Sequence, residues 1–252
     1  MDLLVNKEFG LMRLSFNREA KRNSLNISLC NALRDALVQA QTDPAVRVVM
    51  LESEQEVFCA GADMEEMRDK AEALESALVE LFDTLRHFTK PVIAGVYGPC
   101  VGEGVSLLLF ADMVFASAEA VFAFPSTALA KIPRFGITEW ASRCANPRLL
   151  AQKLLLSEPM NAQEALSIGL VTAVTDRDSL PGMLAEKAAR LTVLPPAAVQ
   201  ATRLLLNREF LAALDKHWNS DLLMYEEQAA SDEAAEALAA FLEKRAPVYT
   251  SN

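Results

Sequence analysis

The chain has 252 residues, 52% of them hydrophobic and 23% charged, so it can bury a sizeable core and lacks the polar, low-complexity composition of a disordered segment. With 34 acidic against 24 basic side chains, its net charge of -10 excludes a nucleic-acid surface, which requires clustered Lys and Arg. Cys30, Cys59, Cys100 and Cys144 form no C-x-x-C pair and are too sparse for a disulfide scaffold, which excludes the small secreted class.

The N-terminus lacks the basic start and long apolar run of a secretory signal, and Thr250-Ser251-Asn252 is no peroxisomal address. A reducing cytoplasm is the expected compartment. Along the chain, residues 3–5 and 11–16 read as the arms of a hairpin turning through 6–10. Ile27, Cys30, Leu33, Leu37 and Ala40 recur at helical spacing, and the helix closes near Asp43-Pro44 before an apolar strand over 46–51. A helix over 74–88, a strand over 91–96, a buried helix over 104–110 and a strand over 113–116 follow, the alternation of an α/β layered core. The most apolar stretch, 105–124, is interrupted by Asp112 and Glu119 and reads as helix plus strand, not as a membrane span.

Asn161 with Glu164 has the form of a capping box, Gly169 sits where that helix stops, and 171–174 is the last strand. Beyond Pro195-Pro196 the pattern predicts helices over 197–206, 209–230 and 233–244. Their apolar positions Leu204, Leu205, Phe210, Leu211, Leu214, Trp218, Leu222 and Met224 require a partner surface.

Two loops carry the chemistry. Phe58-Cys59-Ala60-Gly61-Ala62-Asp63-Met64 follows an apolar strand and puts small residues where a backbone approaches a ligand closely. Gly95-Val96-Tyr97-Gly98-Pro99-Cys100-Val101-Gly102-Glu103-Gly104 is a glycine-rich strand-to-helix turn. Both offer N–H groups to negative charge developing on a carbonyl oxygen. Asp63 is expected to cap the helix after its loop. Cys59 and Cys100 have no histidine nearby in sequence and read as small buried filler, and the isolated His87 and His217 make no metal site.

These loops, with Asn17-Arg18 and Asn23-Ser24-Leu25-Asn26 before them, resemble the crotonase superfamily of enoyl-CoA hydratases and isomerases over nearly the whole chain. The family pattern Asn-Arg-Pro-x-x-x-Asn-Ala-Leu-Asn stands here as residues 17–26, with Glu19 for proline and Ser24 for alanine. Asp43-Pro44-Ala45-Val46-Arg47-Val48-Val49, Asn161-Ala162-Gln163-Glu164-Ala165-Leu166, Gly169-Leu170-Val171 and Phe241-Leu242-Glu243-Lys244-Arg245-Ala246-Pro247 extend the similarity in family order.

The resemblance implies an α/β fold: a crotonase-like ββα spiral core over 1–194 holding the acyl-CoA site, and a C-terminal helical oligomerisation region over 195–252 that builds a homotrimer or a dimer of trimers. It implies a thioester carbonyl held by the backbone N–H groups of Ala62 and Glu103. Substrate-binding positions carried over are Ala20, Lys21, Arg22, Ala60, Gly61, Asp63, Met64, Gly102, Ser106, Pro125, Ser126 and Arg134. Coenzyme A enters as part of the substrate, with no permanently bound cofactor, no metal, and neither nucleic acid nor membrane as partner. Lys21 and Arg22 are either cations for the coenzyme A tail or solvated loop charges.

Position 103 is commonly glycine in the family, so the Glu103 carboxylate is expected to point away from the oxyanion. The two glutamates of the hydratases correspond to Ser106 and Ser126, and serine without a histidine is a poor base. Losing acid–base assistance typically costs about 10²- to 10⁴-fold. Isomerases need one base, at the position of Ser126 or at that of Arg134, after Ile132-Pro133; this chain has a carboxylate at neither. The remaining acids near the site are Glu103, Asp63, Glu65, Glu66 and Glu139. Glu139 is the catalytic acid–base candidate, its helix start expected near the acyl end; otherwise it is a first-turn carboxylate favoured by the helix dipole. The expected activity is enolate chemistry on an acyl-CoA thioester, tilted toward double-bond isomerisation because residues 98–108 resemble a Δ3,Δ2-enoyl-CoA isomerase more than a hydratase. The alternatives are enoyl-CoA hydration, another crotonase reaction such as thioester hydrolysis or decarboxylation, and a non-catalytic CoA-thioester-binding subunit.

Overall fold

The computed structural model describes residues 1–53 and 55–249, so the tripeptide 250–252 lies outside the described residues. Strands β1 (Leu3–Glu8) and β2 (Leu11–Phe16) form the expected hairpin, closed through Phe9 and Gly10 at positive φ. β1 runs three residues past its apolar signal because only Leu3 of it is buried, leaving no hydrophobic pattern to mark its end. Helix α1 (Ile27–Thr42) is capped by the Asn26 side chain, which accepts from the Leu29 N–H, and leads to β3 (Val48–Glu52).

Then come α2 (Met64–Asp69), α3 (Ala71–His87), β4 (Val92–Val96), β5 (Cys100–Val101), the short α4 (Glu103–Leu108), β6 (Met113–Ser117) and β7 (Val121–Ala123). After α5 (Ile137–Ala141), α6 (Pro147–Leu156) and β8 (Met160–Asn161), helix α7 (Ala162–Ser167) begins with the predicted capping box. The chain ends with β9 (Ala173–Thr175), α8 (Leu180–Val193), α9 (Pro196–Ala229) and α10 (Asp232–Glu243).

The main sheet has the order β1-β2-β3-β4-β6-β9, parallel except for the β1–β2 hairpin, and a smaller sheet has the order β5-β7-β8. The chain therefore visits the two sheets in turn, β4 then β5, β6 then β7, β8 then β9. Isolated parallel bridges, Leu25 with Ala62 and Cys59 with Cys100, extend the second layer into the earlier turns. The result is a spiral of ββα units, the architecture that the resemblance implied.

The C-terminal region corrects two expectations. The break predicted at 207–208 is absent, and α9 is one helix of 34 residues. Asn207 reaches across to Asp112 at 3.3 Å, and Arg203, a turn earlier, binds the Phe88 and Phe110 carbonyls and Asp112, so the polar interruption faces partners on the core. Nor does the whole apolar face await an outside partner. Phe210, Leu214, Trp218 and Tyr225 are buried, with Phe210 tilted against Phe110 at 6.0 Å between centroids and Trp218 against Phe135 at 6.0 Å. Phe135 in turn stacks on Phe82 at 4.0 Å. Leu204, Leu205 and Met224 stay exposed. No helix among the described residues is long and apolar enough to cross a membrane.

Trp218 locks α9 to the core through Phe135 and lies under the Arg86 guanidinium at 4.6 Å. Trp218→Ala is expected to lower the unfolding free energy by about 3 kcal/mol, whereas Leu205→Ala on the exposed side changes it by less than about 0.5 kcal/mol. Urea titration of both variants checks this, and equal effects would contradict the docking.

Candidate active site: two backbone donors and a half-buried carboxylate

Ala62 lies three residues past Cys59, and Glu103 three past Cys100; since Cys59 and Cys100 are bridged in parallel, both chains leave the second layer in step. The Val101 N–H donates to the Cys59 carbonyl at 2.8 Å and the Phe58 N–H to the Pro99 carbonyl at 2.9 Å, which fixes that register. Each candidate donor follows a glycine at positive φ, Gly61 at 84° and Gly102 at 54°. That conformation turns the next N–H out of the layer, and only glycine adopts it without strain. A Cβ on Gly61 would also come within 3.1 Å of the Val101 carbonyl oxygen.

The first of these N–H groups meets an anion. The Ala62 N–H donates to Glu103 Oε2 at 3.0 Å, and Glu103's own N–H also acts on its carboxylate. The expectation that this side chain points away is therefore corrected: it folds back onto the donors. The physical reason is on its far side. Arg134 Nη2 donates to Glu103 Oε1 at 3.2 Å, and the same guanidinium is ion-paired with Glu75. Burial would raise the Glu103 carboxyl, but Arg134 and the two N–H groups outweigh it and hold it below the usual carboxylate range. Arg134 is almost completely enclosed, with the Tyr225 ring 3.8 Å and the Phe135 ring 4.4 Å from its guanidinium carbon, and its Nε has no hydrogen-bond partner among the described residues.

Ala62, Glu103, Arg134 and Tyr225 line a cavity of about 60 Å³, too small for a ligand, whose pockets usually run to about 300 Å³ or more. Ala60, Gly61, Met64, Gly102, Ser106, Pro125 and Ser126 line it as well. Ser106 donates its hydroxyl to the Arg134 carbonyl at 3.2 Å, so that proton is already committed. Lys131 also lines the cavity, and burial, the largest influence, moves its ammonium below the usual lysine range. Glu103 is the only carboxylate among the described lining residues.

The remaining predicted positions sit at the rim or beneath it. Ala20, Lys21 and Arg22 are exposed; Lys21 pairs with Glu65 at 2.7 Å, and the Arg22 carbonyl accepts from the Ala60 N–H at 3.1 Å, tying this segment to the first donor loop. Asp63 is buried and caps α2, its Oδ1 accepting from the Glu65 and Glu66 N–H groups, while Arg18 donates to Oδ2 at 2.7 Å. Asn23 donates to Ser53 Oγ and the Val57 carbonyl and accepts from the Arg18 N–H, so it pins this segment beneath the first donor loop.

Glu139 is not in this cavity. Ile137 points into it, and a residue two further along a helix is rotated by roughly 200°. Glu139 instead lines a neighbouring cavity of about 580 Å³ with Thr138, His217 and Asp221, 3.5 Å from His217 Nδ1. Burial, with the Asp221 charge adding to it, raises its carboxyl. Cys59 and Cys100 are fully buried, and burial pushes the Cys59 thiol up to about 12, which suits filler and not a nucleophile.

Sequence reasoning missed Glu75, Lys131 and Tyr225. Glu75 and Tyr225 come from α3 and α9, elements whose periodicity marks a packed face but not which polar residue closes over a loop far away in the chain. The signal available was Arg134 itself, since a buried guanidinium demands acids or rings around it.

The ββα spiral, with its alternating strands and two N–H groups turned toward one cavity, is the crotonase fold. A family model described as enoyl-CoA hydratase/isomerase matches residues 6–252, and the chain belongs to that family. It is 32% identical over 250 residues to a 2,3-dehydroadipyl-CoA hydratase of Escherichia coli K12, covering 98% of each chain. A crotonyl-CoA hydratase of Syntrophomonas wolfei is 29% identical over 255 residues, covering 99% of this chain and 98% of that protein. Among solved structures, an enoyl-CoA hydratase/isomerase from Pseudoalteromonas atlantica superposes with a TM-score of 0.92 at 28% identity, covering 99% of this chain and 100% of that one. An enoyl-CoA hydratase from Mycobacterium avium subsp. paratuberculosis gives 0.90 at 30% identity, covering 100% and 99%.

Although burial pulls the Asp63 carboxyl upward, Arg18, the Glu66 N–H and Ser24 together depress it. A depressed carboxyl stabilises the fold fully above its unfolded value of about 3.9 and loses that contribution as pH falls through its folded value. Asp63→Asn keeps the capping oxygen but not the charge, so its unfolding free energy is expected to fall less steeply than the parent's below about pH 4. Urea midpoints from pH 7 to pH 3 measure this, and parallel curves would contradict it.

Proposed function

We propose that the protein binds an acyl-CoA thioester with its carbonyl oxygen on the Ala62 and Glu103 N–H groups and catalyses proton transfer at the adjacent carbon, shifting a double bond of an enoyl-CoA. One observation carries the reading: the Ala62 N–H already donates to an anion, the carboxylate of the neighbouring candidate donor Glu103, while Ser106 and Ser126 stand where a hydratase needs carboxylates. Adding water across a double bond requires a group to activate water and another to protonate the α-carbon. A 1,3-proton shift requires one group that removes a proton, exchanges it with solvent and delivers one two carbons away.

The thioester oxygen gains negative charge as the α-proton leaves, and the N–H pair opposes that charge without reorganising, the usual source of the largest rate gain. The coenzyme A tail lies along Ala20, Lys21 and Arg22, and the acyl chain runs past Phe124, Leu129, Ile132 and Ile137, whose apolar lining suits it. Coenzyme A belongs to the substrate, and no permanently held cofactor enters this scheme. Exposed Leu204, Leu205, Leu206, Leu223 and Met224 on α9 support assembly into trimers.

Incubating the protein with 3-hexenoyl-CoA in deuterated water is expected to yield 2-hexenoyl-CoA carrying solvent deuterium at carbon 4, read by mass spectrometry. A 3-hydroxyacyl-CoA as the main product from 2-hexenoyl-CoA would contradict isomerisation and favour hydration, the activity named for the relatives.

A further inference from the structure

We infer that Glu103 is the acid–base residue of this site, held in the donor pair as a stand-in for the substrate's oxyanion and transferred onto the Arg134 side edge when a thioester carbonyl takes its place. The inference rests on the acyl-CoA reading above. It begins with geometry: the Ala62 N–H that serves the carbonyl oxygen in that reading now donates to Glu103 Oε2 at 3.0 Å, so carboxylate and thioester cannot occupy the donors together. The narrow cavity of about 60 Å³ fits a site closed by its own side chain.

The structure also holds a place for the displaced group. Arg134 Nη2 already donates to Glu103 Oε1 at 3.2 Å, and the Nε–H shares the guanidinium's side edge with Nη2. That Nε is buried and has no partner among the described residues. Glu103 thus uses half of a two-donor fork, and a carboxylate leaving the N–H groups while keeping Nη2 completes it with two parallel bonds. The end of the guanidinium is held by Glu75 and its face by Tyr225, so it is braced to receive the carboxylate without moving.

Displacement changes what Glu103 can do. On the donors it cannot act on a substrate, because its Oε2 occupies the place of the thioester oxygen. After transfer those N–H groups belong to the thioester oxygen, and the carboxylate lies beside the carbon next to that carbonyl. It removes a proton from carbon 2, the electron pair passes to the thioester oxygen as a dienolate, and the resulting Glu103 acid, after exchanging its proton with solvent, delivers a proton to carbon 4 as the double bond settles between carbons 2 and 3. No other reactant is consumed. Among the described lining residues no other carboxylate competes for this role; of the other titratable lining groups, burial moves the Lys131 ammonium below and the Tyr225 phenol above their usual ranges.

Three proteins decide the matter: the parent, Glu103→Gln and Glu103→Gly. Binding of hexanoyl-CoA is measured by calorimetry, and isomerisation with deuterium uptake is measured on 3-hexenoyl-CoA. Glu103→Gln is expected to bind within a few-fold of the parent and to lose at least about 10²-fold in uptake. Glu103→Gly, with the stand-in removed, is expected to bind at least tenfold more tightly and to lose uptake equally. Glu103→Gly that binds more tightly and turns over faster would make the carboxylate a plug and not a base, overturning the inference. Unchanged uptake in Glu103→Gln would overturn it too. No hexanoyl-CoA binding by the parent or by a folded Glu103→Gly would instead sink the acyl-CoA reading itself, with thermal melting showing that the variants fold.

Discussion

The parallel bridge between Cys59 and Cys100 is the constraint on which the site depends. Two small residues pair in the second layer, the chain beyond each turns at a glycine of positive φ, and two N–H groups arrive at one point in space. The bridge leaves little room for larger groups: both thiols are fully buried, and a Cβ on Gly104 would come within 2.8 Å of Cys59 Cβ. The spiral topology makes this pairing possible, because each turn of the chain contributes one strand to the main sheet and one short segment to the second layer.

Around the donor pair the protein holds a balanced set of charges, half-buried Glu75, Glu103 and Lys131 about the buried Arg134. Buried ions tolerate little imbalance, since each costs several kcal/mol to remove from water and only good pairing offsets that. Enolate chemistry adds a negative charge to such a site. If the proton leaving the substrate goes to a carboxylate of the same set, the total charge stays constant as the oxyanion forms. Charge-assisted hydrogen bonds of the kind Glu103 makes contribute about 1.5–3 kcal/mol each. In the proposed exchange the thioester carbonyl bonds the vacated N–H groups while Arg134 retains the carboxylate.

Much of this was legible in the chain itself. The hairpin, α1, the strand over 48–52, α3, β4, β6 and the capping box of α7 all follow from periodicity and from residues such as Asn26 and Asn161 at helix starts. The spiral did not, because β5, β7 and β8 are two or three residues long and carry no period. Helix α8 escaped reading, and α9 was divided where Asn207 and Arg208 interrupt its apolar run, though Asn207 in fact meets Asp112. At the site, glycines at 61 and 102 announced the donor loops. The direction of the Glu103 side chain was not legible, since it is decided by Arg134 from a different loop and by Glu75 and Tyr225 from distant helices. Glu139 misled for a related reason: its distance from Pro133 in sequence is short, but the turn of α5 carries it to the other side.

The proposed chemistry requires that the Ala62 and Glu103 N–H groups receive a thioester carbonyl. Isotope-edited infrared difference spectroscopy of hexanoyl-CoA, labelled with carbon-13 at the thioester carbon and bound to the protein, reads that carbonyl directly. A stretch shifted to lower frequency than that of the free thioester in water is the result the account predicts, since two fixed donors polarise the bond more than solvent does. A bound thioester whose carbonyl stretch is unshifted, or shifted to higher frequency as in an apolar pocket, would contradict it.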